Sequence, residues 1–181
     1  MFGAALLAGG AALPGIVTAQ ARPTRESQMQ SANIGIPASI RAEHEEIHAE
    51  LVAATKAPGR AGVAARELAA ILHPHFVREE QIALPPLSLL AGLARGEAAP
   101  EMREVLPMTD SLRAELPRML EEHVAIHAAT ARLGEIAKAE GNARVARLAE
   151  VLALHAQTEE QVLYPAALLV GDMVRLRVSQ R

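Results

Sequence analysis

The sequence contains no cysteine and no tryptophan, and it has only one tyrosine and two phenylalanines among its 181 residues. The lack of cysteine excludes disulfides, iron–sulfur clusters, thiolate zinc sites and cysteine nucleophiles. Any metal site must therefore be built from nitrogen and oxygen ligands. Aromatic and β-branched strand formers are scarce, and alanine and leucine dominate the apolar half of the composition. We therefore predict an all-α protein.

The chain also lacks an excess of positive charge. It has 18 lysines and arginines against 21 acidic residues, and no basic stripe is interleaved with aromatic side chains that could stack on bases. We therefore expect no nucleic-acid partner. The length suits one domain with a substantial core and is too short for two comfortable domains.

The N-terminal segment has no charged side chain over residues 1–21 (MFGAALLAGGAALPGIVTAQA) and ends in the small-x-small triplet AQA. This pattern is typical of a secretory signal peptide. We predict cleavage after Ala21, a flexible linker over residues 22–37, and a periplasmic or secreted domain over residues 38–181 with no membrane contact. The alternatives are an uncleaved membrane anchor and a cytoplasmic protein with an N-terminal tail.

Apolar residues recur at helical spacing in four long stretches of the chain. The first ends near residue 58, the second near residue 85, the third spans about residues 110–140, and the fourth ends before residue 164. Short helical pieces joined by turns are expected between the second and third, and a short tail helix over about 166–178. This order predicts an up-down-up-down four-helix bundle with a short C-terminal helix.

Polar residues occupy positions on these faces where the spacing demands a core residue. On the fourth helix, for example, the face consists of Val145, Leu148, Leu152, His155, Glu159 and Val162. Charged groups are found in protein cores when they are paired or bound to metal. The polar core positions are His44, His75, Glu79, His123, His155 and Glu159.

These positions belong to an internal repeat. The first half of the chain reads EHEEIHA and then HFVREEQIALPP, and the second half reads EEHVAIHA and then HAQTEEQVLYP. The chain therefore looks like a duplicated helical hairpin, whose two halves are related by an approximate two-fold axis.

The repeated HxxxE spacing puts an imidazole and a carboxylate one turn apart on the same helix face. Two such helices, together with histidines from the other two, converge on the bundle axis. Four histidines and two glutamates suit a pair of metal ions with bridging carboxylates, and iron is favoured over zinc or manganese. Glu80 and Glu160 are expected to be solvated or to be hydrogen-bond partners of the ligand imidazoles.

At these clusters the chain resembles the hemerythrin-like, or HHE cation-binding, family of four-helix bundles that hold a non-haem di-iron centre. The resemblance covers about residues 38–168. It implies that the six core positions bind the metals, with Glu79 and Glu159 as bridges. The oxygen carriers of the family use both histidines of the third-helix HxxxH, which recruits His127 as a further ligand.

One departure concerns the fourth helix. The oxygen carriers place its carboxylate five residues after the histidine, where Glu160 stands, whereas the internal repeat favours Glu159. His48 has no counterpart among the ligands of the oxygen carriers. For His127 and His48, ligation, hydrogen bonding to a ligand and simple packing all stay open. The single tyrosine, Tyr164, is interpreted as a packing residue near a helix end, and His73 as a surface residue.

The resemblance implies that a small diatomic or peroxide ligand, O₂, NO or peroxide, binds at an open metal position. The alternative function is iron handling or delivery under oxidative or nitrosative stress, without turnover. The sequence decides neither whether the protein is an enzyme nor its oligomeric state.

Overall fold

Every regular element that the structure describes is helical. The computed structural model describes residues 34–179. The predicted signal peptide, residues 1–21, and most of the predicted linker, residues 22–33, lie outside the described residues. The helices are α1 Ala38–Ala54, α2 Gly59–Ile82, α3 Leu90–Ala94, α4 Leu106–Ala139, α5 Ala143–Thr158 and α6 Tyr164–Ser179. Within residues 34–179, no helix is both long and apolar enough to cross a membrane.

Four long helical segments form the bundle. Helix α1 packs against α2 and α5, and α4 packs against α2 and α5, so the segments close a ring around one core. The buried face of each helix follows the apolar periodicity of its sequence. The structure therefore confirms the all-α, up-down-up-down four-helix bundle. The largest buried cluster includes Ile47, Leu51, Leu68, Leu72, Phe76, Ile126, Leu133, Leu148 and Leu152.

The two hairpin turns lie at the same end of the bundle and share one carboxylate. Gly59 (φ 76°) starts α2 in a left-handed conformation that favours glycine. Glu140, which follows α4, accepts hydrogen bonds from the backbone N–H groups of Arg60 (2.8 Å) and Ala61 (3.1 Å). These donors have no partner within α2, and the helix dipole favours a negative charge beside them. The contact ties the α1–α2 turn to the α4–α5 turn.

The long connection between α2 and α4 consists of short helical pieces, as predicted. Two 3₁₀ turns, Pro85–Leu89 and Pro100–Val105, flank α3. Helix α4 begins at Leu106, earlier than the predicted start near residue 110, because Pro107 is compatible with the first turn of a helix. The connection packs against α6 in a cluster of Leu89, Leu93, Met102, Val105, Val170 and Val174.

The fourth long helix does not end before residue 164, which corrects the prediction. Helix α5 passes through a π-helical turn, Glu159–Leu163, directly into α6. The backbone N–H of Tyr164 bonds to the carbonyl of Glu159, which closes a wider turn than that of an α-helix. Pro165 has no N–H with which to continue the ordinary pattern. The turn therefore contains one extra residue.

This extra residue rotates the buried face of everything that follows it. Val162, which regular spacing predicts to be in the core, is 54% exposed. The prediction for Val162 is wrong because a period fitted to a regular helix does not include the π-helical turn. The apolar side chains that are buried after the turn include Tyr164, Ala167, Val170 and Val174.

Candidate metal centre

Six side chains with ligand atoms converge in the middle of the bundle, and none is more than 4% exposed. The HxxxE spacing of α2 and of the α5 segment turns a histidine and a glutamate onto the same buried face. The structure therefore brings together the six core residues that the sequence indicates. Their binding of a metal stays a prediction. They are His44 on α1, His75 and Glu79 on α2, His123 on α4, His155 on α5, and Glu159 in the π-helical turn.

The first half-site consists of His75, Glu79 and His123. His75 Nε2 lies 2.7 Å from His123 Nε2 and 3.4 Å from Glu79 Oε1. Glu159 Oε2 is 3.7 Å from His123 Nε2, and all four residues offer ligand atoms within 4.8 Å of one another. Neighbouring ligand atoms at about 2.1 Å from one metal ion lie roughly 3 Å apart. The first half-site therefore has the dimensions of a ligand shell.

The second half-site consists of His44, His155 and Glu159. Glu159 Oε1 lies 2.8 Å from His155 Nε2 and 3.4 Å from His44 Nε2. Glu159 thus turns one oxygen toward each half-site. A carboxylate in this position can bridge two ions.

Several buried polar atoms of this centre have no hydrogen-bond partner. An unpartnered buried polar group costs about 1–3 kcal/mol, and such groups are uncommon in folded proteins. A cation between the half-sites would provide a partner for their lone pairs, so the donor set fits a metal centre. The atoms that would face the cation are His44 Nε2 and Glu79 Oε2, together with His155 Nε2 and Glu159 Oε1, which lie 2.8 Å apart without the geometry of a hydrogen bond.

An outer ring of four carboxylates faces the Nδ1 atoms of the four histidines. Each glutamate is next in sequence to a core position on its own helix and reaches the histidine of a neighbouring helix. Because Nδ1 faces a carboxylate, each imidazole presents Nε2 to the centre, as metal-bound histidines commonly do. The pairs are Glu122 with His75 (2.8 Å), Glu160 with His123 (2.8 Å), Glu43 with His155 (3.2 Å) and Glu80 with His44 (3.5 Å).

Sequence reasoning found two members of this outer ring and missed the other two. The sequence predicts that Glu80 and Glu160 are either solvated or partners of ligand imidazoles, and the structure places both beside a histidine. Glu43 and Glu122 were not singled out. The signal that could have found them is the Glu-His pair that opens the repeated phrase in each half, since both glutamates directly precede a core histidine.

Burial and charge act differently on the two central carboxylates. Burial, and then the charge of Glu159, raise the pKa of Glu79 to about 7. Burial also raises the pKa of Glu159, but contacts with His155 and His44 outweigh burial and leave this pKa below its ordinary value. For His155, burial lowers the pKa, but Glu159 and Glu43 outweigh it and raise the pKa to about 9. Metal binding must therefore displace protons from this centre.

His127 lies at the edge of the centre. Its Nε2 atom is 3.1 Å from Glu160 Oε1, and its side chain is 38% exposed. It forms a second, half-buried group with His123 and Glu160 that could hold an ion, so its role as a ligand stays a prediction. His48 and His73 are exposed, with their rings 6.0 Å apart, which confirms the surface position of His73.

Tyr164 is more than the packing residue that the sequence predicts, because its hydroxyl contacts the centre. Its hydroxyl donates a hydrogen bond to Glu79 Oε1 and lies 3.0 Å from His123 Nε2 and 3.2 Å from His75 Nε2. Burial, followed by the charges of Glu79 and Glu159, raises the pKa of Tyr164 above its ordinary value. Regular spacing puts residue 164 off the core face, but the extra residue of the π-helical turn rotates Tyr164 onto that face.

The fold and the centre together define a four-helix bundle whose buried cluster of histidines and glutamates fits a cation. Residues 36–167 match the family described as the hemerythrin HHE cation binding domain. The chain belongs to this family, which confirms the resemblance seen in the sequence. No curated protein and no solved structure matches the chain significantly.

Proposed function

We propose that this chain is a non-haem di-iron protein that binds a small oxidant, O₂, NO or peroxide, in the bundle core. The observation that carries the proposal is the pair of half-sites that share Glu159 and contain unpartnered lone pairs. Imidazole and carboxylate donors without thiolate suit iron, while zinc and manganese are less favoured occupants. When bound, such a centre supplies open coordination positions and a change of oxidation state.

The protein's own residues favour a small ligand. Phe76 stacks on the imidazole of His44, with ring centroids 4.5 Å apart, and meets the ring of His155 edge-on at 5.8 Å. This aromatic side chain covers one side of the second half-site and excludes water from it. The burial of all six candidate ligands leaves little room for an organic substrate. A diatomic molecule or peroxide therefore fits this site better than a larger substrate does.

Metal analysis of the purified protein tests the first part of the proposal. We expect about two iron ions per chain together with the charge-transfer absorption of a bridged diferric centre. His75→Ala should lose most of the iron, because it removes a buried ligand of the first half-site. His73→Ala is the matched control on the same helix, since His73 is exposed, and it should keep the iron. Wild-type protein that stays free of iron after reconstitution would contradict the proposal.

Exposure to O₂ or NO separates the proposal from its alternative, iron delivery without turnover. A ligand-binding centre should change its spectrum reversibly while the iron content stays constant. A delivery protein should instead lose iron to an added chelator on exposure. The burial of the ligand set favours a retained centre, since delivery requires access to the metal.

Export of the protein is a separate proposal. The uncharged segment over residues 1–21 supports a cleaved signal, after which the mature chain begins at Arg22. Mass spectrometry of the protein expressed in a bacterium with a periplasm tests this start. Ala21→Arg should block cleavage at the signal site, and Gln20→Arg is the matched control, because only the small positions of the triplet are recognised.

A further inference from the structure

The phenol of Tyr164 is a buried polar group of the centre that belongs neither to the six core residues nor to the outer ring. Its side chain is buried, and its oxygen lies within hydrogen-bond distance of His75, Glu79 and His123, which are all three members of the first half-site. One hydroxyl donates one proton, which goes to Glu79, and the two Nε2 atoms then face an oxygen that has nothing left to donate.

Both imidazoles turn Nε2 toward the phenol and Nδ1 away from it. Both direct Nδ1 toward a carboxylate 2.8 Å away, Glu122 for His75 and Glu160 for His123. In a neutral ring this arrangement favours the tautomer with the hydrogen on Nδ1, and the lone pair of Nε2 can then bind a metal ion. The first half-site therefore places two nitrogens, a carboxylate and a phenol around one point, and each of these groups can bind a metal ion once its proton is released.

The distances match those within a metal's ligand shell. Ligand atoms at right angles and about 2.1 Å from one ion lie roughly 3 Å apart. The phenol oxygen is 3.0 Å and 3.2 Å from the two Nε2 atoms. The oxygen thus stands where a ligand of the first half-site would stand.

The residue that the repeat aligns with Tyr164 makes the same backbone hydrogen bond but carries no ligand atom. The internal repeat aligns Tyr164 with Leu84, each directly before a proline. The N–H of Leu84 bonds to the carbonyl of Glu79 (3.0 Å), as the N–H of Tyr164 bonds to that of Glu159. Leu84 is fully buried, like Tyr164, but it carries no ligand atom. The two aligned positions therefore share this backbone hydrogen bond, and one of them carries a hydroxyl while the other does not.

We propose that the Tyr164 oxygen is a ligand of the metal ion in the first half-site, and that Leu84 leaves the second half-site one ligand short. This inference rests on the proposed iron centre. Binding releases the phenolic proton to solvent and forms a metal–phenolate bond. The two metal positions are then unequal, and the open position for a small ligand belongs to the second half-site, beside His44 and His155.

The composition makes the test unusually direct, because Tyr164 is the only tyrosine in the chain and there is no tryptophan. Wild-type protein and a Tyr164→Phe variant are loaded with iron, oxidised to the ferric state and assayed for iron content. Resonance Raman spectra excited in the visible absorption band then report phenolate ring vibrations only where a tyrosine is bound to iron. We expect these vibrations in the wild type and their complete loss in the variant, with iron still present.

The possible outcomes separate this inference from the proposed function. Wild-type protein with two irons and no phenolate vibrations overturns the ligand role, leaving Tyr164 as a hydrogen-bond donor to Glu79, while the iron centre stands. Wild-type protein without iron overturns both. Circular dichroism checks that the variant is folded. If the variant does not fold, the wild-type spectrum alone tests the ligand role, because no other residue of the chain can give phenolate vibrations.

Discussion

Glu159 and Glu160 are adjacent in the chain but contact opposite sides of one imidazole, that of His123. Glu159 Oε2 lies 3.7 Å from Nε2, and Glu160 Oε1 lies 2.8 Å from Nδ1. Glu159 is buried between the half-sites, whereas Glu160 is half-buried at the rim. We therefore infer that Glu159 binds metal and Glu160 orients the ring, and the two substitutions to glutamine should have different effects.

Glu159→Gln should reduce the iron content from about two ions per chain to less than one. The change removes the one carboxylate within residues 34–179 that faces both half-sites, and it leaves an amide that is a weaker metal ligand. Iron analysis after reconstitution measures the effect, with circular dichroism to establish that the bundle is intact. Glu135→Gln is the control, because the Glu135 side chain on α4 is 82% exposed. Full occupancy in the Glu159 variant would show that this carboxylate is not a bridge.

Glu160→Gln should keep both irons at saturation but weaken their binding by about 10–100-fold. Partners that orient a metal-bound histidine commonly contribute this much to metal affinity. Competition against a chelator of known affinity gives the ratio of dissociation constants between variant and wild type. Unchanged affinity would contradict an orienting role, and complete loss of iron would indicate that Glu160 is itself a ligand.

His127→Ala should retain the iron content and weaken binding less than Glu160→Gln does. His127 contacts the centre through Glu160, and its side chain is 38% exposed, so its removal leaves the buried lone pairs in place. The same chelator competition measures the effect, and His48→Ala, which changes an exposed histidine on α1, is the control. If the His127 variant instead holds about one iron, His127 is a ligand, as the oxygen carriers of the family suggest.

Much of this architecture is predictable from the sequence because burial and spacing agree along three of the four helices. Leu68, Leu72, His75, Glu79 and Ile82 follow one another at helical spacing, and all are buried. The fourth helix departs from this pattern after Glu159. A π-helical turn depends on which backbone carbonyl accepts a hydrogen bond, and side-chain periodicity does not record that choice. Regular spacing therefore predicts that Val162 is buried, and it does not predict the contact of Tyr164 with the centre.

The shifted register predicts unequal effects at two positions that the repeat makes equivalent. Ile82→Ala should lower the free energy of unfolding by about 2–4 kcal/mol, because the Ile82 side chain is 5% exposed. Val162→Ala should change it by less than about 0.5 kcal/mol, since Val162 is 54% exposed. Urea unfolding of both variants, prepared at the same iron content, gives the comparison. Similar losses at the two sites would mean that α5 continues as a regular helix.

The stability of the metal-free protein should fall as the pH rises from about 5 to 9. Glu79, with its pKa raised from 4.5 to about 7, holds a proton in the folded state. Its contribution is fully present below pH 4.5 and is lost as the pH rises through 7. His155, with its pKa raised from 6.5 to about 9, contributes fully below pH 6.5 and loses this contribution as the pH rises through 9.

One histidine opposes this trend without reversing it. Burial, assisted by the neighbouring charge of His75, lowers the pKa of His123, so this residue alone favours folding at higher pH. With iron bound, the ligands have already lost their protons, and the melting temperature should vary much less over the same range. Thermal unfolding followed by circular dichroism, with and without a chelator, measures both curves. A metal-free melting temperature that stays constant or rises between pH 5 and 9 would contradict the proton on Glu79 and the charge on His155.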